Sequence, residues 1–218
     1  MWQLFDKVGF TAIPLAICSM VSVIIVVERI LFYMRNTRRD KDEREFNLLK
    51  QFIHQQKIND AKTLTIRWNS ALGRIVETAI NQWEIDRNMV DKAAQNAGEI
   101  ELQHFQRGLG ILDTIVTASP LLGLLGTVTG IIKSFTALSV TGGAQSLQLS
   151  AGIAEALYST AFGLIIAIPA LFCVNIFYNI ADRSAQELSF RTQEFITILQ
   201  GIPREKTPAK EAASSKEG

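Results

Sequence analysis

From Gly108 to Ala181 the chain runs for 74 residues with only three charged side chains, Asp113, Lys133 and Glu155. At the chain's average of 20% charged residues the same stretch would hold about 15. A desert of that size does not belong to a soluble core. Val8 to Val27 adds 20 residues without a charge, which as helix reach about 30 Å, the thickness of a bilayer's hydrocarbon. The expected fold class is therefore all-α: a polytopic membrane protein with three transmembrane helices and long cytoplasmic helical extensions.

Composition removes several function classes. The 22 basic and 21 acidic residues nearly cancel, leaving no basic stripe for nucleic acid. No glycine-rich loop sits between a strand and a helix to cradle a cofactor phosphate. The two cysteines, Cys18 and Cys173, lie inside apolar runs, where they read as packing residues and give no disulfide framework. No cofactor and no metal site is expected.

The first apolar run lacks a basic leading region, since Asp6 cancels Lys7, and it exceeds the apolar part of a secretory signal. It reads as a retained span with Pro14 as a kink near its start. The expected organisation places an outer N-terminus and the first span at 1–33, a cytoplasmic helical segment at 34–108, the second span at 109–138, an outer hairpin at 139–148, the third span at 149–181, a cytoplasmic helical extension at 182–202 and a disordered tail at 203–218. Orientation follows from Arg29, Arg35, Arg38, Arg39, Lys41 and Arg44 after the first span, which put that segment and the C-terminus inside and the N-terminus outside. In the cytoplasmic segment, Phe46, Leu49, Phe52 and Ile53, then Leu72, Ile75, Val76, Ala79, Ile80 and Trp83, recur at helical spacing. Nothing helix-breaking separates about Asn88 from Ile115, so the second transmembrane helix is expected to continue well into the cytoplasm. Leu188, Phe195, Ile198 and Leu199 predict a similar extension of the third.

A carboxylate in a span costs some ~2.5 to 3.5 kcal/mol on insertion scales, so Glu155 is the first functional candidate. Lys133 and Asp113 lie near helix ends, where snorkelling to the interface explains them. Around Glu155, Gly152, Ser159, Gly163 and Ala170 fall within about 20° of one direction, a stripe of small side chains that lets another helix come close. The second span carries Gly123, Gly126 and Gly130, with Gly126-x-x-x-Gly130 as a small-residue packing motif. Thr127 and Thr160 each lie about eleven residues from the outer end of their helices, so their hydroxyls should sit at one depth, about 16 Å down, with Glu155 above them. A single Thr would bond its own helix; two at one depth beneath a carboxylate point to a polar path. The string from Gly126 to Ser134 is no phosphate-binding loop, because two isoleucines separate Gly130 from Lys133. An intramembrane protease is excluded too: His54 and His104 lie outside the spans, and no HExxH or paired aspartates occur in them.

Two stretches then resemble a known family. Ser119-Pro-Leu-Leu-Gly-Leu-Leu-Gly-Thr-Val-Thr-Gly-Ile-Ile-Lys-Ser-Phe135 and Gly152-Ile-Ala-Glu-Ala-Leu-Tyr-Ser-Thr-Ala-Phe-Gly-Leu-Ile-Ile-Ala-Ile-Pro169 are similar to the paired signature of the MotA/TolQ/ExbB proton-channel family, and Glu28-Arg29 is similar as well. The MotA branch usually has four spans, so the ExbB/TolQ branch is favoured. Where Ser119 stands, the family often has Ala. The resemblance implies a bacterial inner-membrane protein that is not an enzyme. It implies a homo-oligomeric ring, a pentamer, around the helices of a single-span partner resembling ExbD or TolR. A TonB- or TolA-like protein is a further implied partner.

On that resemblance the pore-lining positions are Thr127, Glu155 and Thr160. The expected mechanism has the small stripe of the third span facing a lumen, the two threonines hydrating a partner carboxylate, and Glu155 drawing cations towards it. Two other readings stand beside it: a MotA-like stator for flagellar or gliding torque, and a passive scaffold whose small-residue helices simply oligomerise.

Overall fold

In lipid the backbone must satisfy its own hydrogen bonds, so even a run such as Ser22 to Val27, rich in residues that favour strands in water, goes helical. The computed structural model describes residues 9–36, 39–141 and 146–202. The expected extreme N-terminus, the hairpin tip at 142–145 and the tail 203–218 lie outside the described residues. Within them the order is α1 (Ala12–Asn36), α2 (Arg39–His54), α3 (Ile58–Arg67), α4 (Ala71–Ile85), α5 (Val90–Gln106), α6 (Leu109–Thr141) and α7 (Ser146–Gln200), with short 3-10 turns at Gly9–Thr11 and Arg87–Met89. No strand occurs among the described residues. The three spans are carried by α1, α6 and α7, the last continuing without interruption through the expected extension. Pro14 falls in the first turn of α1, where a missing N–H breaks no helical bond, so it begins the helix instead of kinking it.

The chain forms two compact units, one from Met1–Thr37 and Gln103–Arg183, the other from Arg38–Leu102 and Ser184–Gly218. The expected helical continuation of the second span towards Asn88 is found, with one break. The ladder breaks at Arg107 and Gly108, and Gly108 takes φ 78°, a conformation open to glycine at little cost. The break orphans the last carbonyls of α5, and α1 supplies donors. Arg29, only 2% exposed, donates to the His104 carbonyl at 2.9 Å and the Phe105 carbonyl at 3.2 Å. Its other edge forms a fork with Glu28, both contacts 2.6 Å. The Tyr33 hydroxyl donates to the Phe105 carbonyl at 2.8 Å, and the rings of Phe32, Tyr33, Phe105 and Phe177 pack around the joint.

The second unit has an ordinary apolar core. Phe46, Leu49 and Ile53 of α2, Leu72, Ile75, Val76, Ala79 and Ile80 of α4, and Phe195 and Leu199 of α7 are buried together, matching the helical spacing read from the sequence. Helix α4 starts at Ser70, whose side chain accepts from the Gly73 N–H at 3.2 Å. The carboxylate of Glu101, nearly buried, is gripped by the Arg74 guanidinium at 2.5 and 2.6 Å. That hydrogen bond, first among its causes, raises the Arg74 pKa above its ordinary value. Helix α2 ends with the Lys57 N–H on the Phe52 carbonyl at 2.9 Å and the Gln56 N–H on the Ile53 carbonyl at 3.0 Å. This closing pattern forces Gln56 to φ 58°.

Two outcomes follow for the thermal midpoint in detergent. Gln56→Gly relieves the left-handed strain and raises stability by about 1 kcal/mol; a lower midpoint would contradict this account of the turn. Arg29→Leu strips the His104 carbonyl of its side-chain donor and leaves the Phe105 carbonyl to Tyr33 alone, lowering stability by about 1–3 kcal/mol; a midpoint unchanged from the parent would mean the clamp carries no weight.

Candidate functional site

Helices α6 and α7 meet through their smallest residues. A Cβ at Gly123 would stand 2.9 Å from the Ser159 carbonyl oxygen and 3.0 Å from the Thr160 Cα; at Gly130 it would stand 3.0 Å from the Ala156 Cβ. At Gly163 it would stand 2.5 Å from the Ser119 carbonyl oxygen and 3.2 Å from the Gly123 Cα. Gly126 and Gly152 make room for hydroxyls: a Cβ at either would collide with the Oγ of Ser159 or of Ser134. The stripe Gly152, Ser159, Gly163 therefore faces α6 of its own chain, and Ala170 is buried farther along the same direction. That corrects the expectation of a lumen-facing stripe. Angular arithmetic identified which residues share a direction but not which helix lies opposite.

The close approach creates a polar seam. Thr127 Oγ1 and Thr160 Oγ1 are hydrogen-bonded to each other, in keeping with the equal depth counted from the sequence. Both also reach the Gly123 carbonyl, each at 3.2 Å, and Thr127 reaches the Ala156 carbonyl at 3.3 Å. A hydroxyl has one hydrogen to give. Two hydrogens thus serve two carbonyls and the neighbouring hydroxyl oxygen, so the set has more than one way to arrange its donors. Both threonines are half-buried, with one side open.

Glu155 is half-buried one residue before Ala156, and among the described residues it makes no hydrogen bond or ion pair. No contact joins its carboxylate to either threonine. Lys133 and Asp113 are exposed, and neither forms an ion pair with Glu155 among the described residues. Two features escaped the sequence reading. Ser159 Oγ, fully buried, bonds Thr11 Oγ1 at 2.8 Å, tying the turn before α1 to α7 through the gap left by Gly126. The buried Arg29 clamp was the other; Glu28-Arg29 was noticed only as a motif, and a basic residue at the end of an apolar run looks like an interfacial anchor. Among the described residues no group of His, Cys, Asp or Glu is arranged to hold a metal ion.

A sequence model of the MotA/TolQ/ExbB proton channel family matches residues 67–189, which include every residue of the seam. The chain is 32% identical over 205 residues to the biopolymer transport protein exbB1 of Vibrio cholerae, covering 92% of this chain and 89% of that one. It is 28% identical over 213 residues to the putative biopolymer transport protein ExbB-like 3 of Synechocystis, covering 95% and 99%. A shorter match, 38% over 99 residues, joins it to the Tol-Pal system protein TolQ of Haemophilus influenzae, covering 45% and 43%.

Gly123→Val tests the seam itself. The added methyls meet α7 backbone, which cannot move aside as a side chain would, so the cost is about 1–3 kcal/mol and the thermal midpoint falls. Retention of the parent midpoint would show that the helices do not approach this closely.

Proposed function

The chain belongs to the MotA/TolQ/ExbB proton channel family, and on that premise we propose that it is the ring-forming subunit of a proton-driven motor in the bacterial inner membrane. In this reading the N-terminus is outside, the C-terminus is cytoplasmic, and five copies surround the helices of a single-span partner similar to ExbD or TolR. The observation that carries the proposal is the hydroxyl pair Thr127 and Thr160 over one glycine carbonyl. A proton crossing hydrocarbon needs groups that can accept a hydrogen bond on one side and give one on the other, and such groups are costly there unless used. The pair has that capacity, with spare acceptors and one open side.

The division of labour is then as follows. An acidic side chain on the partner carries the proton. Thr127 and Thr160 solvate it as it passes, and Glu155, which makes no hydrogen bond or ion pair among the described residues, raises the local cation concentration. Flux down the gradient is coupled to movement of the partner against the ring. The relatives are named for biopolymer transport and for the Tol-Pal system, so the work is assigned to outer-membrane transport or envelope maintenance through a TonB- or TolA-like protein. Against a passive scaffold stands the use of Gly123, Gly130 and Gly163 between α6 and α7 of one chain.

The test uses the full chain co-expressed with its single-span partner. Native mass spectrometry should find a ring of several copies retaining the partner. In liposomes, Thr160→Ala and Glu155→Ala should leave that assembly intact and abolish gradient-dependent proton flux. Parental flux in both variants would remove the two residues from the path, and a monomer that ignores the partner would sink the motor reading.

A further inference from the structure

The seam between α6 and α7 extends beyond the threonine pair. Ser119 lies eight residues before Thr127, about 12 Å along α6. It has no exposed surface, and its Oγ has no hydrogen-bond partner among the described residues. A hydroxyl buried without a partner is destabilising in any protein interior and more so within hydrocarbon. Pro120 follows directly inside the helix. Having no N–H, it leaves the Val116 carbonyl without its helical donor. Ser119 and Val116 are three residues apart, hence neighbours on one face and one turn. An unmatched donor and an unmatched acceptor therefore share a turn, on the stretch of α6 that Gly163 of α7 approaches most closely.

One small ligand answers both groups. A water molecule can accept from Ser119 Oγ and donate to the Val116 carbonyl, keeping one lone pair and one hydrogen for the seam. We propose that Ser119 binds a water molecule there and serves as a second proton-handling station, carrying the polar seam from Thr127 and Thr160 towards the Asp113 end of α6. This rests on the proton-channel reading above. The step balances without a co-reactant. The water takes up one proton from the threonine side and releases one towards the Asp113 end, so water and hydroxyl are both regenerated. The competing state is a rotated hydroxyl that bonds a carbonyl of its own helix and holds no water.

The experiment is proton uptake into liposomes containing the full chain with its single-span partner. Four forms are compared: the parent, Ser119→Ala, Ser119→Thr and Thr160→Ala. With Ser119 on the path, Ser119→Ala lowers flux roughly tenfold, the weight of one hydrogen bond at the limiting step, while ring mass and partner retention stay unchanged. Ser119→Thr, which restores the hydroxyl, brings flux back to within about twofold of the parent. Parental flux in Ser119→Ala, with a raised thermal midpoint from removal of an unsatisfied group, overturns the proposal. So does equal loss in the Ala and Thr variants, since volume and not the hydroxyl would then matter. If Thr160→Ala also conducts normally, the threonine pair is off the path and the seam that Ser119 would extend falls with it; if only Ser119→Ala does, the seam stands and the second station does not; a parent without flux sinks the channel reading itself.

Discussion

Two helices in hydrocarbon gain nothing by hiding apolar side chains from each other, because lipid tails are as apolar as leucine. What holds α6 against α7 is what close approach permits: dispersion between backbones and hydroxyl bonds that reach across. Gly123, Gly130 and Gly163 set the distance, and the rest of the first unit depends on it. Were the axes farther apart, Thr160 could not share the Gly123 carbonyl with Thr127, and Ser159 could not find Thr11 beneath Gly126. The polar seam follows from the absence of side chains at a few positions.

The joint between α5 and α6 shows the complementary device. A helix broken at the end of an apolar region leaves carbonyls that water cannot always reach, and each is costly if orphaned. Arg29 answers two of them with one planar group, while Glu28, largely exposed, neutralises the charge at the other edge of the fork. A lysine could not do this, since its ammonium is a point with no edge to present to a carboxylate while facing two carbonyls. The aromatic rings of Phe32, Tyr33, Phe105 and Phe177 close the apolar part of the same joint.

Much of this was legible in the sequence because its signals are local. Apolar runs of span length announce α1, α6 and α7, and the period of Leu72 to Trp83 announces α4. Counting residues from the hairpin was enough to set Thr127 and Thr160 at one depth. What stayed hidden depends on groups distant in the chain. Gly108 looks like any tolerated helix glycine until Arg29, far upstream, is seen capping the carbonyls it frees. The strained Gln56 sits in a motif that usually takes glycine, so composition concealed it. The stripe around Ser159 could be drawn on a helical wheel, but its partner helix could not.

The shared hydrogens of Thr127 and Thr160 bear on how such a site responds to voltage. Moving a full charge across the bilayer is worth about 2.3 kcal/mol per 100 mV. Turning a hydroxyl shifts only part of a charge by about 1 Å in a barrier of about 30 Å, so the electrical work of reorientation is a few hundredths of that. The transmembrane potential alone leaves the pair indifferent between its arrangements. A proton arriving within a few ångströms acts through the unscreened local field of a low-dielectric seam and decides the orientation at once. On the proposed proton path the pair is deaf to the membrane's field and responsive to its cargo, so its switching would keep time with individual ions.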